Sequence, residues 1–218
     1  MKENEIEEIV RAKRIIAIVR GQKPDVCLHL AEAFAKGGIG LVEVTFDQRA
    51  PESWAQTAEA IRAIRERFAG AVRVGAGTVM TEEQLKICAD AGGEYMISPN
   101  VNAALIRSCV GRGLVAMPGA LTPSEAAVAW EAGAQFVKLF PAGTLGPAYV
   151  KAVRAPLAHI PFLAVGGISP ENVADFMKAG CVGAGVGGNL TNKAWIAAGA
   201  WDKIAAVAKE LMERSEVK

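Results

Sequence analysis

The chain has 218 residues, enough for a sizeable buried core, and its 51% hydrophobic and 22% charged content is that of a folded globular protein, not a disordered one. A formal net charge of +1 gives no electrostatic reason to expect nucleic acid or a membrane surface as partner. The apolar stretches are interrupted by charges or glycine, so none reads as a membrane span, and the charged opening MKENEIEEIVRAKR does not read as a signal peptide.

One rhythm repeats along the chain: a short apolar run, a loop, then an amphipathic helical stretch. An extra helix is expected over 3–12, followed by a strand over 15–19, a helix over 25–36 and a strand over 41–45. Next come a helix over 53–68, a strand over 72–74, a helix over 82–91, a strand over 95–97 and a helix over 103–111. The second half continues with strands over 114–117, 136–139, 162–165 and 183–186, alternating with helices over 123–132, 147–153 and 170–178 and a last one over 200–214. The strands are short and mostly apolar on both faces, as buried parallel strands are. Thr122-Pro123 and Ser169-Pro170 read as helix starts, a hydroxyl N-cap followed by proline in the first turn. Gly37-Gly38, Gly92-Gly93, Gly133 and Gly180 stand just past helices, where the left-handed cap conformation favours glycine.

Eight such βα units point to an α/β fold, a TIM (β/α)8 barrel with an extra N-terminal helix, in a single domain over 1–218. A doubly wound open sheet is the alternative. Cys27, Cys88, Cys109 and Cys181 are scattered and form no CxxC pair, which fits buried structural thiols in a reduced, cytoplasmic setting. His29 and His159 are far apart without a ligand pattern around them, so no metal site is expected.

Two residues toward the C-terminal ends of strands break the apolar pattern. Lys138 is flanked by Val137 and Leu139, and Glu43 by Val42 and Val44. In a barrel, active sites lie at the C-terminal ends of the strands, and both residues fall there. Burial disfavours a charged ammonium, so a lysine in this position becomes a usable amine nucleophile, and a nearby carboxyl can move its protons. The other reading is a buried ion pair that only fills the barrel. Glycine pairs follow the last two strands, at Gly166-Gly167 and at Gly187-Gly188-Asn189, where backbone N–H groups can approach an anion; plain tight turns would also explain them. Gly75-Ala76-Gly77-Thr78 lacks the third glycine of a dinucleotide fingerprint and reads as a close-packed strand end whose Thr78 offers a hydroxyl to the cavity.

These pieces occur in order together with Ile18-Val19-Arg20, Val42-Glu43-Val44-Thr45, Ile97-Ser98-Pro99, Met117-Pro118-Gly119, Val137-Lys138-Leu139-Phe140-Pro141 and Val165-Gly166-Gly167-Ile168. Over residues 14–191 the chain resembles the 2-dehydro-3-deoxy-phosphogluconate (KDPG) / 4-hydroxy-2-oxoglutarate (KHG) aldolase family. The resemblance implies a class I aldolase that needs no metal or organic cofactor and acts on a small 2-keto acid, with Lys138 as Schiff-base lysine and Glu43 as acid/base. It implies that Thr78 and Pro99 hold the pyruvyl end, that Phe140 lines the cavity, and that Gly166, Gly167, Gly187, Gly188 and Asn189 bind phosphate. It also implies a homotrimer. Two departures stand out. Asp47 occupies the place where many members carry arginine, which leaves Arg20 as the natural anion contact. Val165 stands where gluconate-type members often have threonine, as in members resembling the phosphogalactonate branch. Two further readings stay open: an isomerase or epimerase without an imine, and a non-catalytic anion binder.

Overall fold

The computed structural model describes residues 3–216. Its strands are β1 (Ile15–Val19), β2 (Leu41–Thr45), β3 (Arg73–Gly77), β4 (Tyr95–Ile97), β5 (Val115–Met117), β6 (Gly119–Ala120), β7 (Val137–Leu139), β8 (Phe162–Val165) and β9 (Gly183–Val186). The helices are α1 (Glu3–Lys13), α2 (Pro24–Lys36), α3 (Trp54–Phe68), α4 (Glu82–Asp90), α5 (Ala103–Gly111), α6 (Pro123–Glu131), α7 (Ala142–Arg154), α8 (Val173–Lys178), α9 (Lys193–Ala197) and α10 (Trp201–Ser215). No described helix is long and apolar enough to cross a membrane.

All strand pairs are parallel, in the order β5-β4-β3-β2-β1-β9-β8-β7-β6. The two ends of that order, β5 and β6, are consecutive in the chain and separated only by Pro118, which has no N–H to donate. They are two halves of one barrel strand: β5 pairs with β4, and β6 pairs with β7. The sheet therefore closes through the chain itself, and the fold is a parallel (β/α)8 barrel of the TIM type. At the seam the Gln135 side-chain oxygen accepts the N–H of Ala116 at 2.7 Å.

Strand alternation divides the core into two apolar clusters. Outward residues such as Ala17, Val42, Val74 and Ala76 pack with the helices. Inward residues such as Ile16, Leu41, Tyr95, Met117 and Leu163 fill the lumen, together with Ile6 and Val10 of α1. The N-terminal helix is thus a plug at the bottom of the barrel. Arg73, at the start of β3, ties it there by pairing with Glu5 of α1 and, at 3.0 Å, with Glu94.

The helix starts show where local chemistry decided the boundary. Thr81 and Thr122 cap α4 and α6 in full capping boxes with Gln84 and Glu125. The start expected at Ser169-Pro170 is instead a turn: Asn172 Oδ1 accepts the Ser169 N–H at 2.9 Å, and α8 begins only at Val173. Helix α7 begins five residues before the expected Pro147; Gly146, at φ 78, kinks it, and the proline starts its second segment. The third strand lies later than expected, running through Gly75 and Gly77, because neighbouring side chains occupy the space a Cβ would need there.

Candidate active site

Glu43 and Lys138 are the middle residues of β2 and β7, which lie four strand positions apart around the barrel and face each other across its lumen. Both are buried, Glu43 to 2% and Lys138 to 7% of its surface exposed. They share one cavity of about 480 Å³ at the C-terminal ends of the strands. Arg20, Thr78, Pro99 and Phe140 line the same cavity, and so do Gly166, Gly167, Gly187, Gly188 and Asn189. Every site residue read from the sequence is therefore brought to one place.

Burial dominates the electrostatics of the two central groups. It pushes the Glu43 carboxyl above the usual carboxylate range, against the pull of the Lys138 and Arg20 cations. It pushes the Lys138 ammonium below the usual lysine value; the nearby Glu43 carboxylate opposes this, and Arg20 adds to it. Both shifts favour the uncharged pair, a carboxylic acid facing a free amine. The Lys138 Nζ stands over the Phe140 ring, 4.8 Å from its centroid, so any cation formed at that nitrogen meets the negative face of an aromatic.

The carboxyl of Glu43 has its position because Gly77 lacks a side chain. A Cβ on Gly77 would lie 1.7 Å from Glu43 Oε1. Gly75, two residues earlier on the same face, leaves room for the Tyr95 ring in the same way, a Cβ there falling 2.3 Å from the ring. The Tyr95 hydroxyl donates to the Val42 carbonyl at 2.7 Å, beside Glu43 in β2.

At the mouth, Arg20 Nη2 donates to Thr78 Oγ1 at 3.4 Å. Arg49 is not at the cavity: it forms an exposed ion pair with Asp47 at 3.1 Å, and Asp47 Oδ1 also accepts the Arg49 N–H. The two glycine loops form the opposite wall. Gly166 has φ 87, and a Cβ on it would lie 3.1 Å from the Phe140 ring. Its carbonyl accepts the Gly143 N–H at 2.7 Å, which pins the loop to the start of α7. Asn189 Nδ2 donates to the Ile168 carbonyl at 3.1 Å and joins the two loops. Among the described residues, the backbone N–H groups of Gly167 and Gly188 reach no protein acceptor.

Some lining residues carried no functional signal. Ile18 and Gly185 form apolar wall, and Ile18 could have been placed by its two-residue spacing from Arg20. A second cavity, of about 650 Å³, shares Ile18, Arg20, Gly187 and Gly188 with the first and carries Thr191 and Lys193 on its far side. Lys193 opens α9, a five-residue helix too short to show periodicity. No group of three or more His, Cys, Asp or Glu side chains able to hold a metal occurs among the described residues.

The family model described as KDPG and KHG aldolase matches residues 6–207. The chain belongs to this family. A 2-dehydro-3-deoxy-6-phosphogalactonate aldolase of Escherichia coli (strain K12) is 40% identical over 177 residues, 81% of this chain and 83% of the relative. A 2-dehydro-3-deoxy-phosphogluconate aldolase of Treponema pallidum (strain Nichols) is 34% identical over 209 residues, 95% of this chain and 96% of the relative. The solved native KDPGal structure superposes with a TM-score of 0.82 at 37% identity, over 92% of this chain and 93% of that one. The aldolase is accordingly an enzyme of the lyase class, and its buried lysine and glutamate lie at the C-terminal ends of the strands, where this fold places its active sites.

Proposed function

We propose that the aldolase works through a Schiff base on Lys138, cleaving a 2-keto-3-deoxy-6-phospho sugar acid of the gluconate or galactonate type to pyruvate and glyceraldehyde 3-phosphate. 4-Hydroxy-2-oxoglutarate, giving pyruvate and glyoxylate, is a second substrate of the same chemistry. The observation that carries this reading is the buried pair: an amine and a carboxyl in one cavity, each driven by burial toward the form a Schiff base needs.

The free Lys138 amine attacks the C2 carbonyl, and the carbinolamine forms. Glu43, in the acid form that its burial favours, delivers a proton to the departing hydroxyl, and water leaves. The iminium nitrogen then lies over the Phe140 ring, which favours its positive charge. Glu43, now a carboxylate, takes the proton of the C4 hydroxyl, directly or through a water. The C3–C4 bond breaks, its electrons flow into the iminium, and the aldehyde departs. The remaining enamine is protonated at C3, and hydrolysis of the iminium releases pyruvate and restores the amine. Thr78 and Pro99 hold the pyruvyl end. Gly166, Gly167, Gly187, Gly188 and Asn189 receive the phosphate, with Arg20 as its countercharge in place of an arginine at position 47; the unengaged N–H groups of Gly167 and Gly188 support this placement.

Val165 lines the cavity where a threonine hydroxyl would otherwise meet the sugar, which favours the galactonate-type substrate. Leu121, Val128 and Trp130, on or just before α6, are exposed apolar side chains, in keeping with a homotrimer. A monomer mass by sedimentation would remove that assignment. The four buried thiols, none of them in a disulfide, fit a cytoplasmic enzyme; burial pushes Cys27, Cys88 and Cys181 up to about 12, so those three stay protonated and inert.

The test is borohydride reduction in the presence of pyruvate, followed by peptide mass mapping. A stable adduct on Lys138, absent in a folded Lys138→Ala variant that has also lost cleavage, is the expected result. Normal cleavage by Lys138→Ala would overturn the mechanism.

A further inference from the structure

Thr78 is a β-branched residue in the left-handed backbone region, at φ 56. Such residues avoid that region because the branched side chain crowds the backbone, so the surroundings must hold the conformation. Two glutamines do so. Gln48 Nε2 donates to the Thr78 carbonyl at 2.6 Å. Gln84 Nε2 donates to Gln48 Oε1 at 3.0 Å, while Gln84 Oε1 accepts the N–H groups of Met80 at 2.7 Å and Thr81 at 3.2 Å. The Gln84 backbone N–H is in turn taken by Thr81 Oγ1 at 3.2 Å.

Gln84 is fully buried, so its amide cannot trade these partners for water. Gln48 is exposed, in the turn after β2. The chain of bonds runs from α4 through Gln84 and Gln48 to the carbonyl of Thr78. It brackets residues 78–81 and joins the β2 loop to the β3 loop. What it points into the cavity is the Thr78 side chain, whose hydroxyl receives Arg20.

We propose that Gln48 and Gln84 are positioning residues: a two-glutamine clamp that fixes the Thr78 hydroxyl and, through it, the Arg20 guanidinium against the anionic end of the substrate. This rests on the Schiff-base reading of the same cavity. In this chain the loop after β2 carries no arginine of its own to the cavity, since Arg49 is paired outward with Asp47. Its contribution is made through Gln48.

A double-mutant cycle separates positioning from simple packing. Gln48→Ala in the otherwise native enzyme lowers kcat/KM for the phosphorylated keto acid about tenfold, the worth of one well-placed hydrogen bond. Gln48→Glu keeps the size of the side chain but cannot donate to the Thr78 carbonyl, so it shows the same loss. Thr78→Val keeps the branched shape and removes the hydroxyl; in that background Gln48→Ala costs less than twofold. Additive effects, or native activity in Gln48→Glu, would overturn the proposal, with thermal melts confirming that each variant is folded.

A second measurement does not depend on turnover. Amide hydrogen exchange at Met80 and Thr81 speeds up in Gln48→Ala, because Gln84 loses its partner; unchanged exchange there also overturns the clamp. Failure of the wild-type enzyme to form a pyruvate adduct on Lys138 is a different result, which sinks the Schiff-base reading and leaves the exchange measurement to decide the clamp.

Discussion

Gly77→Ala tests whether the location of the Glu43 carboxyl, and not only its presence, governs the reaction. Residue 77 touches no reacting atom in the proposed mechanism, and its backbone lies in an ordinary strand conformation, so alanine meets no φ penalty. The added Cβ would stand 1.7 Å from Glu43 Oε1, 2.4 Å from Cδ and 2.5 Å from Cγ. To restore even the tightest tolerated contact, 3.0 Å, the oxygen must withdraw by about 1.3 Å. A misplacement of roughly 1 Å costs on the order of a hundredfold in rate, equivalent to about 2.7 kcal/mol of transition-state stabilisation. Overpacking of this kind also costs about 1–3 kcal/mol of stability, which a melt will show separately. The assay is steady-state cleavage with pyruvate read by a coupled dehydrogenase, alongside borohydride trapping. We expect kcat to fall about a hundredfold while Lys138, untouched, still forms the adduct on prolonged incubation. A folded Gly77→Ala enzyme with kcat within threefold of wild type would refute the reasoning, because the carboxyl would then be free to act from elsewhere.

Other expectations follow from the same geometry. Glu43→Gln removes the carboxylate that raises the Lys138 value, so the acid limb of the rate of imine trapping with pyruvate should move to lower pH. Movement to higher pH would contradict that sign. Turnover in this variant should drop, since the glutamine amide carries no exchangeable acid for the two proton transfers. Arg20→Ala should raise KM for the phosphorylated keto acid by roughly tenfold or more, as expected for a lost charge-assisted hydrogen bond, with a much smaller effect on 4-hydroxy-2-oxoglutarate. Equal effects on both substrates would assign Arg20 to the carboxylate end.

The Lys138–Glu43 pair was legible in the sequence because a charge inside a buried parallel strand is costly; Arg73 is a third such charge, but it stands at the start of β3 and is paired with Glu5 and Glu94. The barrel was legible for the same reason that its strands are: parallel strands covered on both faces read as continuous apolar runs, and glycine marks the helix ends at Gly38, Gly92, Gly133 and Gly180. Local hydrogen bonding set other boundaries against expectation. The Asn172 turn displaced the start of α8, and Gly146 let α7 begin upstream of its proline.

What the sequence by itself determined, then, is the alternation of elements and the identity of Lys138 and Glu43, which follow from local periodicity and the cost of burying charge. Only the tertiary structure decided which glycines make room for other side chains. Gly75 and Gly77 read from the sequence as a close-packed strand end, but that Tyr95 and Glu43 fill their space is seen only in the fold. It likewise decided that Arg49 turns away to Asp47, that Arg20 reaches Thr78, and that Gln48 and Gln84 hold that threonine. These are contacts between loops far apart in the chain, and their partners are chosen by how the closed barrel brings its strand ends together, which no local pattern encodes.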